Sequence, residues 1–313
     1  MKIINAQAVT DALSFDALID ALDAAFLAGA STPDRGHHEI EVPGADDGTL
    51  LLMPCWQANK NLGVKIATVF PGNAAKSLSA VHASYFLMDA SSGVPIAVLD
   101  GTELTRRRTA AASALASRYL SRTDSSTLLM VGTGELASHL VAAHASARDI
   151  SKVVIWGRRQ EAAEALQERL SALLLQTVIA TELEDAVAEA DIISCATLAT
   201  DPLIKGDWLS AGQHLDLVGA FKPDMREADA IAVSRAEVYV DTYSGAMSEA
   251  GDILQAIQES AFEESDIAGD LAELASGKCQ GRTSEEAITL FKSVGTALED
   301  LAAAELVMRK HNA

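Results

Sequence analysis

Apolar residues recur at three- and four-residue steps over residues 7–30. Ala12, Phe15, Leu18, Ile19, Leu22, Phe26 and Leu27 fall on one face of a helix, and the spacing predicts a single amphipathic helix there. Ser31-Thr-Pro33 closes it, because proline biases the residue before it away from helix. From residue 38 to 100 the period shortens. Thr49-Leu-Leu-Leu-Met53, Gly63-Val-Lys-Ile-Ala-Thr-Val-Phe70, His82-Ala-Ser-Tyr-Phe-Leu-Met88 and Pro95-Ile-Ala-Val-Leu99 read as strands. Asp-Gly, Pro-Gly-Asn and Ser-Ser-Gly divide them, which are turn compositions. Short strands in such close succession predict a largely antiparallel sheet.

An alanine-rich helix follows over about 103–120, and then strands and helices alternate. Ser126-Thr-Leu-Leu-Met-Val131, Lys152-Val-Val-Ile-Trp156, Thr177-Val-Ile-Ala180, Asp191-Ile-Ile-Ser-Cys195, His214-Leu-Asp-Leu-Val218 and Glu237-Val-Tyr-Val240 are strands of the buried type. Helices are expected at 135–147 and 160–175, and the acidic stretches 182–191 and 259–273 read as solvated helix faces. That rhythm predicts a doubly wound parallel sheet. Residues 284–309 read as one final helix, opened by a capping box in which Glu286 stands three residues after Thr283. The division expected is an α+β domain over 1–117 and a Rossmann-type domain over 118–295, with the remaining residues 296–313, the end of that helix, able to return to either.

Composition narrows the function classes. The chain has 313 residues, 49% hydrophobic, so two packed cores are affordable by size. Its formal charge of −20 argues against nucleic acid or an anionic membrane as partner. No apolar run is long enough for a bilayer span, and the N-terminal Met1-Lys-Ile-Ile-Asn5 has no signal-peptide pattern. Cys55, Cys195 and Cys279 are odd in number and lack CxxC spacing, so a disulfide framework and a thiolate metal site are not expected. A reducing cytoplasm is the simplest setting.

Two patterns carry chemistry. Gly132-Thr133-Gly134-Glu135-Leu136-Ala137 follows a strand and opens a helix. The first glycine permits the turn, the second lets a pyrophosphate reach the backbone, and the small alanine lets helix and strand pack closely. The next strand ends in Trp156-Gly157-Arg158-Arg159. An acid there would read the 2′-hydroxyl of NAD; two guanidiniums instead suit the 2′-phosphate of NADP(H), leaving NAD(H) open as a second cofactor. The other pattern is a set of cations in the N-terminal part. Arg35 lies in a turn sequence, Lys65 in the middle of an apolar strand, and Arg106-Arg107-Arg108 at the start of the alanine-rich helix. They suit a pocket for a substrate carboxylate, or else a solvated strand face and helix turn. His37 and His38 are alternative proton donors, and His82 is structural. No metal site and no Ser-His-Asp arrangement is visible.

Across nearly its whole length the chain resembles the ornithine cyclodeaminase/mu-crystallin family. The resemblance rests on Gly63 to Asn73, Ser91 to Asp100, Leu104 to Ala116, the loop at Gly132, Val218 to Glu227, and Phe291 to Asp300. It implies an α+β substrate-binding and dimerising domain, a Rossmann domain, and a last helix that returns to the first. It puts Arg35, Lys65 and Arg108 on the substrate carboxylate and the proton transfer, leaving Arg106 and Arg107 peripheral. It places Cys195-Ala196-Thr197, Val218-Gly219 and Ser293 to Gly295 near the dinucleotide. Cyclodeaminases resemble Val-Gly-Gly-Asp where this chain has Val218-Gly-Ala-Phe221, so their catalytic acid is missing and Phe221 would line an apolar wall for the substrate ring. The fragment Gly219 to Glu227 is most similar to reductases of cyclic imino acids. The activity implied is NAD(P)H-dependent reduction of Δ1-pyrroline-2-carboxylate to L-proline, and of Δ1-piperideine-2-carboxylate to L-pipecolate, by a homodimer. Alternatives are an amino-acid or N-alkyl amino acid dehydrogenase, a cyclodeaminase, and a non-catalytic NADPH-binding protein.

Overall fold

The computed structural model describes residues 1–76 and 78–312. Contacts divide the chain into two compact units, Met1–Thr109 with Thr296–Ala313, and Ala110–Gly295. The boundary at 109/110 falls inside the helix Gly101–Leu120.

The first unit is built on β1 (Lys2–Ile4), β2 (Gly36–Ile40), β3 (Gly48–Trp56), β4 (Asn61–Val69), β5 (Val81–Asp89) and β6 (Pro95–Asp100), in the order β1-β6-β5-β4-β3-β2. Strands β2 to β6 pair antiparallel, as the turn-divided pattern predicts; β1, which that pattern does not reveal, adds parallel to β6. Alternation puts Met53 and Cys55, Gly63, Lys65 and Ala67, and Tyr85 and Leu87 on one buried face. The helix Ala297–Asn312 packs on that face across β3, β4 and β5, with the helix Phe15–Ala28 against its back. On the opposite face Leu50, Leu52, Val64, Ile66, Phe86 and Val98 are half-buried. The single helix expected over 7–30 is two, Ala6–Ala12 and Phe15–Ala28. Buried Leu13 ends the first, and Ser14, extended at ψ 144°, starts the second. The end comes at Gly29, whose φ of 70° suits a residue without a side chain, ahead of the proline.

The second unit holds β7 (Thr127–Val131), β8 (Lys152–Trp156), β9 (Gln176–Ile179), β10 (Ile192–Cys195), β11 (His214–Leu217), β12 (Glu237–Val240), β13 (Ile267–Asp270) and β14 (Thr289–Lys292). All pair parallel in the order β13-β12-β14-β11-β10-β7-β8-β9. The expected doubly wound sheet is thus present, with its order reversing between β7 and β10. In open sheets of this kind ligands lie beyond the carboxyl ends of the strands at that reversal. Its inner strands are mostly buried on both sides, which is why β7, β8 and β10 read as continuous apolar runs, whereas the edge strand β9 is half-exposed.

Two sequence expectations fail in this unit. Residues 284–309 are not one helix: Thr289–Lys292 is a central strand between β11 and β12, and the helix begins only at Ala297. Ile288-Thr-Leu-Phe291 is a β-branched and aromatic run, and Gly295 at φ 83° separates it from the helix. The Thr283 hydroxyl donates to Glu237 rather than capping a helix. Within 259–273 the strand β13 takes up Asp270 and only Glu273 lies in an α-helix, Leu271–Ala275, while 182–191 does contain the helix Leu183–Glu189.

Gly63 shows how tightly the first unit is packed. A Cβ there would lie 1.7 Å from Tyr85 Oη, a buried hydroxyl with no hydrogen-bond partner among the described residues. Gly63→Ala is therefore expected to cost about 1–3 kcal/mol through overpacking, read as a lowered thermal unfolding midpoint; an unchanged midpoint would contradict this packing.

Candidate active site

Lys65 sits in the middle of β4 on the face under the C-terminal helix, and it is only 3% exposed. A charge so placed must be paired. Its Nζ lies 3.0 Å from Asp300 Oδ1 and 2.8 Å from Oδ2. Arg108, on the helix Gly101–Leu120, donates from Nε to the same Asp300 Oδ1 at 2.9 Å and from Nη1 to Glu299 Oε2 at 2.6 Å. Both acids are fully buried. Small neighbours on their own helix, Ala297, Ala302, Ala303 and Ala304, let it lie close to the sheet.

Two cations thus face two carboxylates. Burial lowers the Lys65 pKa to about 8; Arg108 and Arg35 push the same way, while Asp300 opposes them. Burial also disfavours the Arg108 charge, but Asp300 and Glu299 outweigh it and hold its pKa above the ordinary value. Arg35, half-buried just before β2, therefore lies within electrostatic reach of Lys65. Guanidinium and ammonium groups gathered in this way suit a carboxylate. Arg107 turns elsewhere, to Glu103 Oε1 at 2.7 Å and the Leu13 carbonyl at 2.9 Å, and Arg106 lies 3.9 Å from Glu103. His37, His38 and His82 are exposed.

In the second unit, the glycine loop leaves β7 at the sheet's reversal. Gly132 has φ 112°, donates its N–H to the Trp156 carbonyl at 2.9 Å, and would collide at Cβ with Ala196 O at 2.6 Å. Gly134 is exposed, and the space a Cβ would take is open. Glu135 and Leu136 turn into the helix Ala137–Ala147, whose first residue is buried. A tight first glycine, an open second one and a helix start beyond them fit a dinucleotide pyrophosphate. Arg169 donates to the carbonyls of Thr133 and Gly134 at 3.2 and 3.4 Å and steadies the loop. Thr133 packs against Gly157, and Arg158 and Arg159 are exposed beyond the end of β8.

The other strand ends are organised by acids that the sequence reading did not single out. Glu227 accepts from Thr197 N and Oγ1 at 2.6 and 2.9 Å and from Gly219 N at 2.7 Å. Asp241 accepts from Ser293 Oγ at 3.1 Å, Val294 N at 2.8 Å and Gly295 N at 2.5 Å. The Ser293 hydroxyl is therefore spent inside the protein. Cys195 and Val218 are buried, and burial drives the Cys195 thiol far above its usual range, so it is no nucleophile. Phe221 is half-buried against the core of this unit.

The sequence pattern of the ornithine cyclodeaminase/mu-crystallin family matches residues 1–313. The chain belongs to that family. A Delta(1)-pyrroline-2-carboxylate reductase from Colwellia psychrerythraea is 40% identical to this family member over 314 residues, covering 99% of each chain. The solved structure of the Thermococcus litoralis Delta(1)-pyrroline-2-carboxylate reductase, in complex with NADH and L-proline, superposes with a TM-score of 0.93 at 33% identity, over 100% of this chain and 98% of that one. An archaeal alanine dehydrogenase dimer with bound NAD reaches 0.91 at 28% identity, over 100% and 97%.

Asp300 is the shared acceptor of both buried cations. Asp300→Asn is expected to cost about 3–5 kcal/mol, as removal of one partner from a buried ion pair does. Urea unfolding measures it, and a loss smaller than that of an ordinary surface substitution would contradict the quartet's role.

Proposed function

We propose that this chain is an NAD(P)H-dependent reductase of cyclic imino acids, converting Δ1-pyrroline-2-carboxylate to L-proline and Δ1-piperideine-2-carboxylate to L-pipecolate. The observation that carries the reading is the buried set of Lys65 and Arg108 with Asp300 and Glu299. Similarity over the full length to pyrroline-2-carboxylate reductases supports it.

A nicotinamide dinucleotide held by the Gly132–Ala137 loop would supply the hydride that the imine carbon takes. Arg108 and Arg35 take the substrate carboxylate; Arg108 keeps Nη2 outside its bonds to Asp300 and Glu299. Fixing the carboxylate fixes the adjacent imine carbon, which converts an encounter into an oriented reaction. Lys65 completes this clamp and hands a proton to the imine nitrogen. Its lowered pKa, about 8, leaves it mostly protonated near neutrality yet a better acid than an ordinary lysine.

In the second unit, the Gly132–Ala137 loop, Ala196, Thr197 and Gly219 form the dinucleotide's bed. Arg158 and Arg159, with no acid at the end of β8, favour NADPH over NADH. The half-buried apolar face of the first unit's sheet, Leu50, Leu52, Val64, Ile66, Phe86 and Val98, supports a homodimer. Among the described residues no helix is long and apolar enough to cross a membrane, and the three cysteines are free; a cytoplasmic site of action fits both. The likeness to an alanine dehydrogenase keeps open-chain substrates, such as pyruvate with ammonia or methylamine, as the second reading. Phe221, standing where a cyclodeaminase has its acid, argues against that activity.

The deciding assay is loss of nicotinamide absorbance with Δ1-pyrroline-2-carboxylate, its six-membered homologue, and pyruvate with ammonia or methylamine. Fast turnover of the cyclic imines is expected; turnover of only the open-chain pairs would shift the assignment to an amino-acid dehydrogenase, and none at all to a binding protein. Lys65→Met and Arg108→Met should each lower kcat/KM by about 10–100-fold or more, the worth of a charged hydrogen bond. Reduction needs protonated Lys65, so kcat/KM should fall as pH rises through about 8, and proline oxidation should rise; a flat profile would remove Lys65 from the proton transfer. Replacing Arg158 and Arg159 by alanine should lower the NADPH/NADH preference about tenfold, and an unchanged preference would remove them from cofactor choice.

A further inference from the structure

At the carboxyl ends of β10 and β11 the backbone is packed so closely that a side chain at Gly219 has no room. A Cβ on Gly219 would lie 2.0 Å from Thr197 O, 2.3 Å from Thr197 N and 2.5 Å from Glu227 Oε1. One step further, Ala196 O lies against Gly132, the first glycine of the loop after β7. The three loops that meet at the sheet's reversal thus form one chain of backbone contacts, and a single buried side chain holds it. Glu227 is fully buried, and each of its carboxylate oxygens is an acceptor: Oε1 for Thr197 N and Oγ1, Oε2 for Gly219 N.

Glu227 is in turn fixed from behind. Its own N–H and that of Ala228 donate to Asp252 Oδ1 at 2.7 and 3.0 Å, and Asp252 Oδ2 pairs with Lys292 Nζ at 2.9 Å. Both partners are fully buried, Asp252 on the helix Gly251–Gln258 and Lys292 at the end of β14. The buried thiol of Cys195 on β10 also faces this group. The cluster therefore holds two acids against one cation. That balance is costly in a dry interior, and none of its three charged members reaches the surface.

We propose that Glu227 is a positioning residue for the dinucleotide, clasping Thr197 and Gly219 so that the loops after β7, β10 and β11 present one fixed cofactor bed. This inference deepens the dinucleotide-dependent reading and rests on it. The anion accepts all three contacts at full strength. A proton on Oε2 leaves that oxygen a weaker acceptor for the Gly219 N–H and loosens that loop. Burial raises the Glu227 pKa to about 7; Lys292 pulls it down and Asp252 pushes it up. Cofactor affinity should therefore strengthen as pH rises through about 7. An amide at this position keeps the acceptor for Thr197 but offers N–H groups to Gly219.

The test is calorimetric titration of the whole protein with NADH, which lacks the 2′-phosphate that would itself titrate, between about pH 6 and 8. Wild type should bind about tenfold more tightly at the upper end. Glu227→Gln should bind weakly throughout and lose the pH dependence. Thr197→Val should weaken binding while Thr197→Ser, which keeps the hydroxyl, restores it, a contrast that a general loss of stability would not produce. Wild-type binding that is tight but independent of pH, or a Glu227→Gln variant that binds like wild type, overturns the inference. Absence of binding to wild type at every pH by NADH and, in a parallel titration, by NADPH overturns the dinucleotide reading itself, and the inference with it.

Discussion

Burying a lysine in the middle of a strand is the constraint on which the first unit turns. An unpaired ammonium there would cost several kcal/mol, so an acid must be delivered to it from elsewhere in the chain. Asp300, 235 residues away, meets that need, and it serves Arg108 as well. The C-terminal helix returns to the sheet of β3, β4 and β5 to bring it there. The result is a buried set in which two cations, Lys65 and Arg108, face two carboxylates, Asp300 and Glu299. Such a set serves orientation more than stability, because apolar residues of the same volume would hold the helix as well.

The same logic recurs in the second unit with the sign reversed. There the buried excess is negative, and it is spent on backbone N–H groups. Glu227 ties down the ends of β10 and β11, and Asp241 ties down the segment after β14. Loops at the end of a parallel sheet have unpaired donors by construction, and a buried carboxylate satisfies several at once. The glycines then matter for what they exclude: Gly132 and Gly219 admit neighbouring backbone, whereas Gly134 leaves space for a ligand.

What was legible in the sequence was whatever is encoded locally. The turn-divided strands, the alternating strands and helices and the Gly132 loop all follow from short-range pattern, and each appears where expected. Lys65 announced itself as a charge in an apolar run, with its burial undecided. Its partners Glu299 and Asp300 did not, because only the fold brings the last helix to β4; the one available signal was an acidic pair on an otherwise alanine- and leucine-rich helix. Glu227 gave no local sign at all. The misreading of 284–309 as helix has a physical origin too: Ser284-Glu-Glu-Ala287 has good helix formers and an apparent cap, yet Ile288 to Phe291 gains more by pairing between β11 and β12. The split of the first helix at Leu13-Ser14 was hidden because the apolar period continues across it.

The most direct test of the account is the dependence of turnover on the substrate's carboxylate. Δ1-Pyrroline carries the same cyclic imine without that group, and its kcat/KM can be compared with that of Δ1-pyrroline-2-carboxylate under one set of conditions. If Arg35, Lys65 and Arg108 orient the imine through its carboxylate, the analogue leaves a buried polar site unpaired and should be poorer by about 10⁴-fold. Comparable turnover of the two would contradict the clamp and return the buried quartet to a structural role.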